Sequence, residues 1–505
     1  MRMKMISKMK YKLLLFIFSV GIMAIVVGCQ SKEQNQSTEV GQISISEIPL
    51  EKPMDAEIKH FDLVAKKETW NIKGTSFEAW TYNGTIPGEE IRVLEGDWVK
   101  VNLKNELDEP VTIHWHGMVL PNVMDGVAGI TQNAVQPGDT FSYQFNALEP
   151  GTYWYHSHQN AFEQIDRGLY GALIVEPKEK SYDKDYVLML DEWTIGENNR
   201  GMMNMMGDGG TPGEMDSQML YQTFSVNGKS APNIKPINVN FGETVRLRII
   251  NAGYQKHVLY LNDHPYRVAA IDGKDLANAT LTSDVLMVAP GERIDLEFTE
   301  NKKKDWYIDS PNAVKESEDI QIPVNISGIE EKSDASYRDE QNLIMIDMTN
   351  QGNMNPIIDN IIQKPDVEYT MDLSAGMGMM QRGMSYTING ETFPDTEPIQ
   401  VKKGDLVKVT INNNSMLDHP MHLHGHYFQV ISKNGLSLVN PLVKDLINIE
   451  PHEQYEILFI ADNPGDWLFH CHDLLHATGG MVTAVKYNGY YSPFEIGGEY
   501  HNEPE

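Results

Sequence analysis

The chain has 505 residues and a formal net charge of −30 at pH 7, from 71 acidic and 41 basic side chains. This length exceeds what one hydrophobic core usually serves, so two or three domains are expected. The acidic balance argues against charge-driven binding of nucleic acid or anionic lipid, and it fits a surface that attracts cations as well as one that is simply solvated.

The first residues have the features of an export signal. Basic side chains precede an apolar stretch from Leu13 to Gly28 that is short for a membrane span. Cys29 follows Gly28, as the acylated cysteine does in bacterial lipoprotein signals. We expect a signal peptide over 1–28, a lipid on Cys29 and a flexible polar tether over 29–45. An uncleaved anchor helix is the alternative. Both place the protein on the outer face of the bacterial cytoplasmic membrane.

One pattern of turns and strands occurs three times along the chain. In each copy an Asn-Gly turn, a Gly-Asp or Gly-Glu turn and an alternating strand precede a second turn, a second strand and an aromatic segment. The copies begin at Asn83, Asn227 and Asn389. Short alternating strands between turns are typical of β-sandwiches. We predict an all-β protein with three tandem domains, over residues 46–180, 181–360 and 361–505.

Ten of the sixteen histidines form clusters at matching points of the first and third domains. In a strand, side chains at i and i+2 share a face about 7 Å apart, so a His-x-His pair directs two imidazoles at one site. Satisfied core histidines are the alternative, which explains four such pairs poorly. The ten are His114, His116, His156, His158, His419, His422, His424, His470, His472 and His476.

Cys471 lies between two of these histidines and is the only cysteine besides Cys29. A single remaining cysteine cannot form an internal disulfide framework. Its side chain points away from those of His470 and His472, which indicates a second site beside the first. Two His, one Cys and a distant Met form a blue-copper ligand set, here His419, Cys471, His476 and Met481. Structural zinc is the alternative, but zinc would not require the other eight histidines.

The second domain has the repeat but no equivalent ligand set. Aligning the copies places Tyr260 and Asn262 opposite His422 and His424. The positions of the His-Cys-His triplet are taken by Asp309, Ser310 and Pro311. His257 and His264 align with His419 and His426, and we interpret both as structural.

With these motifs the sequence resembles the multicopper oxidases, the family of laccases, ascorbate oxidase and bacterial cuprous oxidases. Segments 125–132 and 151–158 also resemble family motifs. The resemblance implies three cupredoxin-like Greek-key domains and four coppers per chain. Type 1 copper would bind His419, Cys471, His476 and Met481, and type 2 copper would bind His114 and His422. The type 3 pair would bind His116, His156, His158, His424, His470 and His472.

The resemblance also implies the reaction. A substrate gives up electrons one at a time, and four of them reduce dioxygen to two waters. Asp125 matches an acidic residue near the family's copper cluster and is a candidate proton relay, although a turn-forming Asp before Gly126 is the alternative. Leu475 stands where some bacterial relatives have Glu, and Asp473 is offset, so a second proton route is not assigned. Met481 implies a moderate type 1 potential.

Two segments are rich in methionine, a soft ligand that selects Cu(I). One spans 202–219 in a Gly-rich part of the second domain, and the other spans 371–384 at the entry to the third. Related cuprous oxidases gather Cu(I) with such segments, so we expect Cu(I) oxidation and copper tolerance, with phenols and aromatic amines also oxidised. A flexible loop in a chain of 27 Met is the alternative. The Cu(I) contacts are predicted at Met202, Met203, Met205, Met206, Met379 and Met380.

Two other functions stay open. A copper-storing or electron-transferring lipoprotein needs only the blue-copper site and leaves eight histidines unexplained. A copper nitrite reductase has two domains and no His-Cys-His triplet. We expect a monomer whose partners are dioxygen and a small reductant, with a membrane contact through the lipid only.

Overall fold

The computed structural model describes residues 42–195, 221–311, 318–327, 344–346, 348, 351–353, 356–358, 364–377 and 384–505. Within these ranges strands predominate, and no helix is long and apolar enough to cross a membrane. The predicted lipid site Cys29 lies outside them, as do the predicted Cu(I) contacts Met202, Met203, Met205, Met206, Met379 and Met380.

The first domain is built from two four-stranded sheets. Their strand orders are β3-β2-β5-β7 and β4-β9-β8-β6. A short helix α1 (Ala161–Asp166) follows the second sheet's β8. The strands are β1 (Ile43–Ser44), β2 (Ile58–Ile72), β3 (Thr75–Tyr82), β4 (Ile91–Leu94), β5 (Trp98–Asn105), β6 (His114–His116), β7 (Thr140–Asn146), β8 (Gly151–His156) and β9 (Tyr170–Glu176).

The second domain has a six-stranded sheet, β11-β10-β13-β18-β15-β16, opposite the smaller sheets β12-β20-β19 and β14-β17. The strands are β10 (Lys184–Trp193), β11 (Thr223–Val226), β12 (Ile237–Asn240), β13 (Thr244–Asn251), β14 (His257–Leu259), β15 (Arg267–Ile271), β16 (Lys274–Asp275), β17 (Leu286–Val288), β18 (Arg293–Thr299), β19 (Trp306–Asp309) and β20 (Gln321–Ser327).

The third domain has a six-stranded sheet, β22-β21-β24-β29-β26-β27, and a five-stranded sheet, β23-β31-β30-β25-β28. Its helix α2 spans Leu474–Thr478. The strands are β21 (Val367–Met377), β22 (Met384–Ile388), β23 (Ile399–Val401), β24 (Leu406–Asn413), β25 (His419–Leu423), β26 (Phe428–Lys433), β27 (Leu436–Lys444), β28 (Leu446–Ile449), β29 (Gln454–Ile460), β30 (Asp466–Cys471), β31 (Val482–Tyr487) and β32 (Tyr490–Tyr491).

The three domains share one topology, so the all-β prediction is confirmed. In each domain, the first strand of the repeat pairs in parallel with the strand that follows the Gly-Asp or Gly-Glu turn. The pairs are β2 with β5, β10 with β13 and β21 with β24. The opposite sheet repeats a second parallel pair, in β4 with β9, β12 with β20 and β23 with β31.

The Asn-Gly dipeptides form the same turn three times. Asn83, Asn227 and Asn389 adopt φ of 59°, 50° and 54°, and the following glycines are also positive, as expected for the type I′ turn that Asn-Gly favours. Each Asn side chain accepts a hydrogen bond from a backbone N–H of the first strand, at Val64, Met189 and Asp372. The side chain therefore fixes where each turn meets its sheet.

Alternation along the strands explains the sheet faces. In β5, Val99, Val101 and Leu103 are fully buried, while the residues between them face outward. β8 and β30 differ because every residue in both strands is buried. These two strands carry histidines of the first and third domains, so the site lies where both strand faces are covered.

Two segments differ from expectation. Residues 43–44, placed at the end of the tether, form β1 and pair with Tyr490 and Tyr491 of β32, and Ile45 is fully buried. Paired backbone therefore begins before the predicted domain start at 46. Met371, counted in the second Met-rich segment, is fully buried in β21 and belongs to the core.

Candidate metal centre

Strand register brings the predicted histidines together in pairs. In the first domain His114 on β6 lies opposite His156 on β8. In the third domain His422 on β25 lies opposite His470 on β30. Because side chains directly opposite on antiparallel strands share a face, each pairing doubles the imidazoles that the His-x-His spacing supplies.

The two sets of imidazoles meet across the interface of the first and third domains. The His114 ring stacks on His424 with centroids 3.9 Å apart, and the His116 ring stacks on His422 at 3.7 Å. All eight predicted type 2 and type 3 ligands are buried, and we call this group the histidine cage. The cage consists of His114, His116, His156, His158, His422, His424, His470 and His472.

Hydrogen bonds to Nδ1 orient six of the eight cage rings, and four of those six have an Nε2 without a partner. The Nδ1 atoms of six rings lie within hydrogen-bond distance of an oxygen, which fixes the tautomer that leaves Nε2 with its lone pair. The acceptors are the carbonyls of Asp125, Ser157, Pro504, Asp445 and Cys471 and the carboxylate of Asp125. Six buried Nε2 atoms have no hydrogen-bond partner, at His114, His116, His156, His158, His422 and His472.

Unpaired buried nitrogens that face each other are costly unless a cation binds them. The remaining two Nε2 atoms, of His424 and His470, lie 3.0 Å apart. Overlapping triplets of the cage, such as His114-His422-His424 and His158-His424-His470, bring their ligand atoms within 4.8 Å of one another. The donor set therefore fits several metal ions held by imidazole nitrogen.

The cage favours neutral imidazole, the form that binds metal. Burial, followed by repulsion from neighbouring histidines, lowers the pKa of His156, His424 and His470 well below the ordinary value. The pKa of His422 is also lowered, because the effect of burial outweighs that of its contact with Asp445. The pocket therefore resists protonation of these rings and keeps their lone pairs available.

A second group of ligands lies beside the cage. Cys471 Sγ is 3.6 Å from His476 Nδ1 and 3.9 Å from His419 Nδ1, and the two ring nitrogens are 3.2 Å apart. All three side chains are buried, and burial raises the pKa of the Cys471 thiol. A thiolate here thus needs a cation. Met481 is fully buried, and its carbonyl accepts the Cys471 N–H at 3.0 Å.

Asp125 touches histidines of both domains. Its Oδ2 lies 2.9 Å from His424 Nδ1, and its Oδ1 lies 3.2 Å from His114 Nδ1. The following Gly126 has φ of 84°, and a Cβ there would stand 1.7 Å from the Ile113 carbonyl oxygen. The turn and the contact with the cage thus coexist, so the two interpretations of Asp125 are not exclusive.

Sequence reasoning missed three groups at the cage. Asp445 Oδ1 lies 3.4 Å from His422 Nδ1 and 3.5 Å from His116 Nε2, and Arg293 binds that carboxylate. Glu505 Oε1 lies 3.3 Å from His470 Nδ1. Charged residues inside apolar strand patterns were a usable signal for Arg293 and Asp445, whereas nothing in the local sequence marked Glu505.

The second domain aligns as predicted. Tyr260 and Asp309 exchange backbone hydrogen bonds, as do the strands of His422 and His470. His257 Nε2 lies 3.1 Å from Glu192 Oε2, and His264 stacks on Trp306. His426 bonds Tyr487 Oη through Nε2 at 2.6 Å. The contacts of these three histidines hold the fold together, which agrees with a structural role.

Comparison with known proteins identifies the family of the chain. Family models described as multicopper oxidase match residues 64–180, 184–327 and 364–489. The multicopper oxidase MmcO of Mycobacterium tuberculosis is 31% identical over 448 residues, which cover 83% of this chain and 84% of that protein. The chain belongs to the multicopper oxidase family. It is therefore an oxidoreductase that uses dioxygen, and its cofactor is the family's set of four coppers, of types 1, 2 and 3.

Other multicopper oxidases agree in length and fold. Copper resistance protein A of Escherichia coli is 25% identical over 565 aligned positions, covering 84% of this chain and 92% of that protein. The crystal structure of a multicopper oxidase from Pseudomonas thermotolerans matches with a TM-score of 0.66 and 27% identity, over 86% of this chain and 100% of that one. The resemblance drawn from the sequence is thus confirmed at the level of family and cupredoxin-like fold.

Proposed function

We propose that this multicopper oxidase oxidises Cu(I) outside the cell and thereby confers copper tolerance. Three domains over 46–180, 181–360 and 361–505 form the enzyme, which is monomeric. The chain is exported and held on the outer face of the cytoplasmic membrane by a lipid on Cys29. The observation that carries the substrate assignment is the small polar cavity beside His476, near which Tyr221 and Tyr386, the described flanks of the two Met-rich segments, are placed.

The ligand assignment follows the two groups of side chains. His419, Cys471 and His476, with Met481, would hold type 1 copper; the histidine cage would hold the other three, type 2 at His114 and His422. The coppers supply the redox chemistry, accepting single electrons and reducing dioxygen to water. The chain's own part is to keep the nitrogens unprotonated, directed inward and out of bulk water.

Cys471 connects the two groups covalently. The neighbouring residues His470 and His472 belong to the cage, whereas the thiol faces His419 and His476. Successive residues of a strand point to opposite sides, so one tripeptide serves both centres. This geometry gives a short path of bonds from the outer site to the inner one.

Asp125 is the group positioned to handle protons at the cage. Its carboxylate is fully buried and contacts His114 and His424, one from each domain. A proton held on Asp125 Oδ1 would stand at the edge of the place where oxygen is reduced.

The space beside His476 is small and polar. A cavity of about 130 Å³ is lined by Asp418, Asp473 and His476, with Met416 at its rim. Sites for organic ligands usually measure about 300–1,000 Å³. Asp473 Oδ2 lies 3.5 Å from His476 Nε2, and Met416 is 75% exposed. Carboxylates and one exposed thioether suit a metal cation better than a bulky phenol.

Described residues that flank the two Met-rich segments lie near this cavity. Tyr221, which follows the first segment, is fully buried, and its ring lies 5.8 Å from that of Tyr254 in the cavity wall. Tyr386, just after the second segment, has its ring 4.2 Å from the His476 ring. The similarity to copper resistance protein A supports the same assignment.

The test compares oxidation of Cu(I) and of a bulky phenol by the copper-loaded full chain. Replacing Met202, Met203, Met205 and Met206 by Leu should lower the rate with Cu(I) several-fold and leave the phenol rate unchanged. Met54→Leu is the matched control, because Met54 is 97% exposed and lies outside both segments. Equal Cu(I) rates in all three proteins would overturn the Cu(I) assignment and leave a general laccase.

The anchor has its own test. The unaltered chain should incorporate labelled palmitate and the Cys29→Ser chain should not, because the lipid is attached through the cysteine sulfur. An unaltered chain that stays in the membrane fraction but incorporates no label would point to an uncleaved anchor instead.

A further inference from the structure

Arg293 of the second domain is fully buried where all three domains meet. It begins β18, and its guanidinium donates two parallel hydrogen bonds to Asp445 of the third domain, Nη1 to Oδ1 at 2.6 Å and Nη2 to Oδ2 at 2.5 Å. Nε donates to the carbonyl of Thr152 on β8 at 3.2 Å, in the first domain. Few arginines are fully buried unless they are paired, and this one is paired across two domain boundaries.

Asp445 passes this contact on to the cage. Its carbonyl oxygen accepts from His422 Nδ1 and from the Leu423 N–H, each at 2.9 Å. Its Oδ1 lies 3.5 Å from His116 Nε2. The His116 and His422 rings are parallel within 9°, with centroids 3.7 Å apart. One aspartate therefore borders a stacked pair that contains one ring from each metal-bearing domain.

The guanidinium also explains a glycine in the first histidine motif. Gly117 follows His116, and a Cβ at that position would stand 2.2 Å from Arg293 Nη2 and 2.9 Å from Asp445 Oδ2. Any side chain at 117 would displace the ion pair. The backbone that carries His116 is thus packed directly against the Arg293–Asp445 pair.

A second ion-pair chain holds the same strands. Lys444 Nζ lies 2.6 Å from Glu292 Oε1 and 3.2 Å from Asp272 Oδ2, and Asp272 Oδ1 lies 3.4 Å from Arg293 Nη1. Side chains of the second domain thus bind both Lys444 and Asp445. These two residues immediately precede β28, which pairs with β25, the strand of His422. Although it has no predicted copper ligands, this domain contacts the cage's immediate support.

We infer that Arg293 is a positioning residue for the type 2 copper ligands. It acts through Asp445, which fixes the orientation of the His422 ring and of the His116 ring stacked on it. This inference rests on the proposed ligand assignment but not on the proposed substrate. A lysine cannot replace the arginine fully, because one ammonium group does not reproduce two parallel bonds to a carboxylate together with a third bond to Thr152. Supporting residues of this kind change metal affinity or activity by about 10- to 100-fold when replaced.

The test is electron paramagnetic resonance and copper content of the copper-loaded full chain. Arg293→Lys should keep the type 1 signal, change the type 2 hyperfine coupling or lower copper content below that of the unaltered chain, and lower oxygen consumption about 10- to 100-fold. Arg246→Lys is the matched control. Arg246 is a buried arginine of the same sheet that pairs with Asp295 and Glu297 inside the second domain, so its type 2 signal should not change.

Asp445→Asn gives an independent test if Arg293→Lys does not fold. It keeps the carbonyl that accepts from His422 but removes the charge that Arg293 binds, so the type 2 signal should again change while type 1 does not. An unchanged type 2 signal and copper content in either folded variant would overturn the inference. An unaltered chain that binds no copper at the cage would instead refute the ligand assignment, and one that binds four coppers without oxidising Cu(I) would refute only the substrate.

Discussion

Cys471 Sγ lies 3.6 Å from His476 Nδ1, and the two residues are five positions apart along the chain. The strand β30 ends at Cys471, and the short helix α2 brings His476 back over the thiol. Asp473 caps this helix by accepting the Leu475 N–H. The local fold thus closes one side of the outer site with residues adjacent in sequence, while His419 arrives from β25.

Cys471→Ser should remove the type 1 centre and spare the cage. A hydroxyl is a poor substitute for thiolate as a copper ligand, so the blue absorption should vanish and copper content should fall from four toward three per chain. Copper analysis and the type 2 resonance signal check this. Cys29→Ser is the control and should keep the blue colour. A Cys471→Ser chain that retains the blue absorption would contradict the assignment.

Asp125→Asn should weaken the cage without unfolding the protein. The amide keeps the shape of the carboxylate but loses the charge that faces His114 and His424. Turnover or copper affinity should fall about 10- to 100-fold. Oxygen consumption and copper titration measure the two effects, with the exposed Asp55→Asn as control. Full activity in Asp125→Asn would remove any role for this carboxylate in proton transfer.

Copper-free protein should lose stability as the pH falls below about 6.5, the ordinary histidine value. Burial lowers the pKa of His476 to about 3, so the folded state binds its proton later than the unfolded state does. The stability that neutral His476 contributes is fully present above its pKa in the unfolded state. It declines as the pH falls toward the pKa in the folded state, and the loss amounts to about 2 kcal/mol at pH 5. Other buried ligand histidines shift in the same direction. Thermal unfolding between pH 8 and pH 5 checks this, and a constant midpoint would contradict it.

Gly126→Ala should disrupt both folding and copper binding. Its φ of 84° costs an alanine about 1–2 kcal/mol, and the added Cβ meets the Ile113 carbonyl next to His114. Gly138→Ala is the matched control, with φ of 87° and open space around the added Cβ. Gly138→Ala should therefore show only the conformational cost. Chemical denaturation and copper content distinguish the two, and equal losses in both variants would show that the contact with Ile113 is unimportant.

Much of the fold was predictable because the repeat is strong. The Asn-Gly turns at Asn83, Asn227 and Asn389 mark equivalent strands, and the His-x-His spacing places paired ligands on one face. Contacts between domains were not predictable, since no local pattern relates Arg293 to Asp445, 152 residues away. Burial of Met371 was missed because composition does not distinguish a core methionine from a ligand.

The most direct test of the central claim is the stoichiometry of oxygen consumption by the copper-loaded full chain with Cu(I) as the only reductant. We expect rapid uptake in which four Cu(I) ions are oxidised for each dioxygen, with no hydrogen peroxide released. Uptake with phenols but not with Cu(I) would leave the oxidase activity in place and exclude Cu(I) as its substrate. No uptake from either reductant, with all four coppers bound, would contradict the proposed oxidase activity altogether.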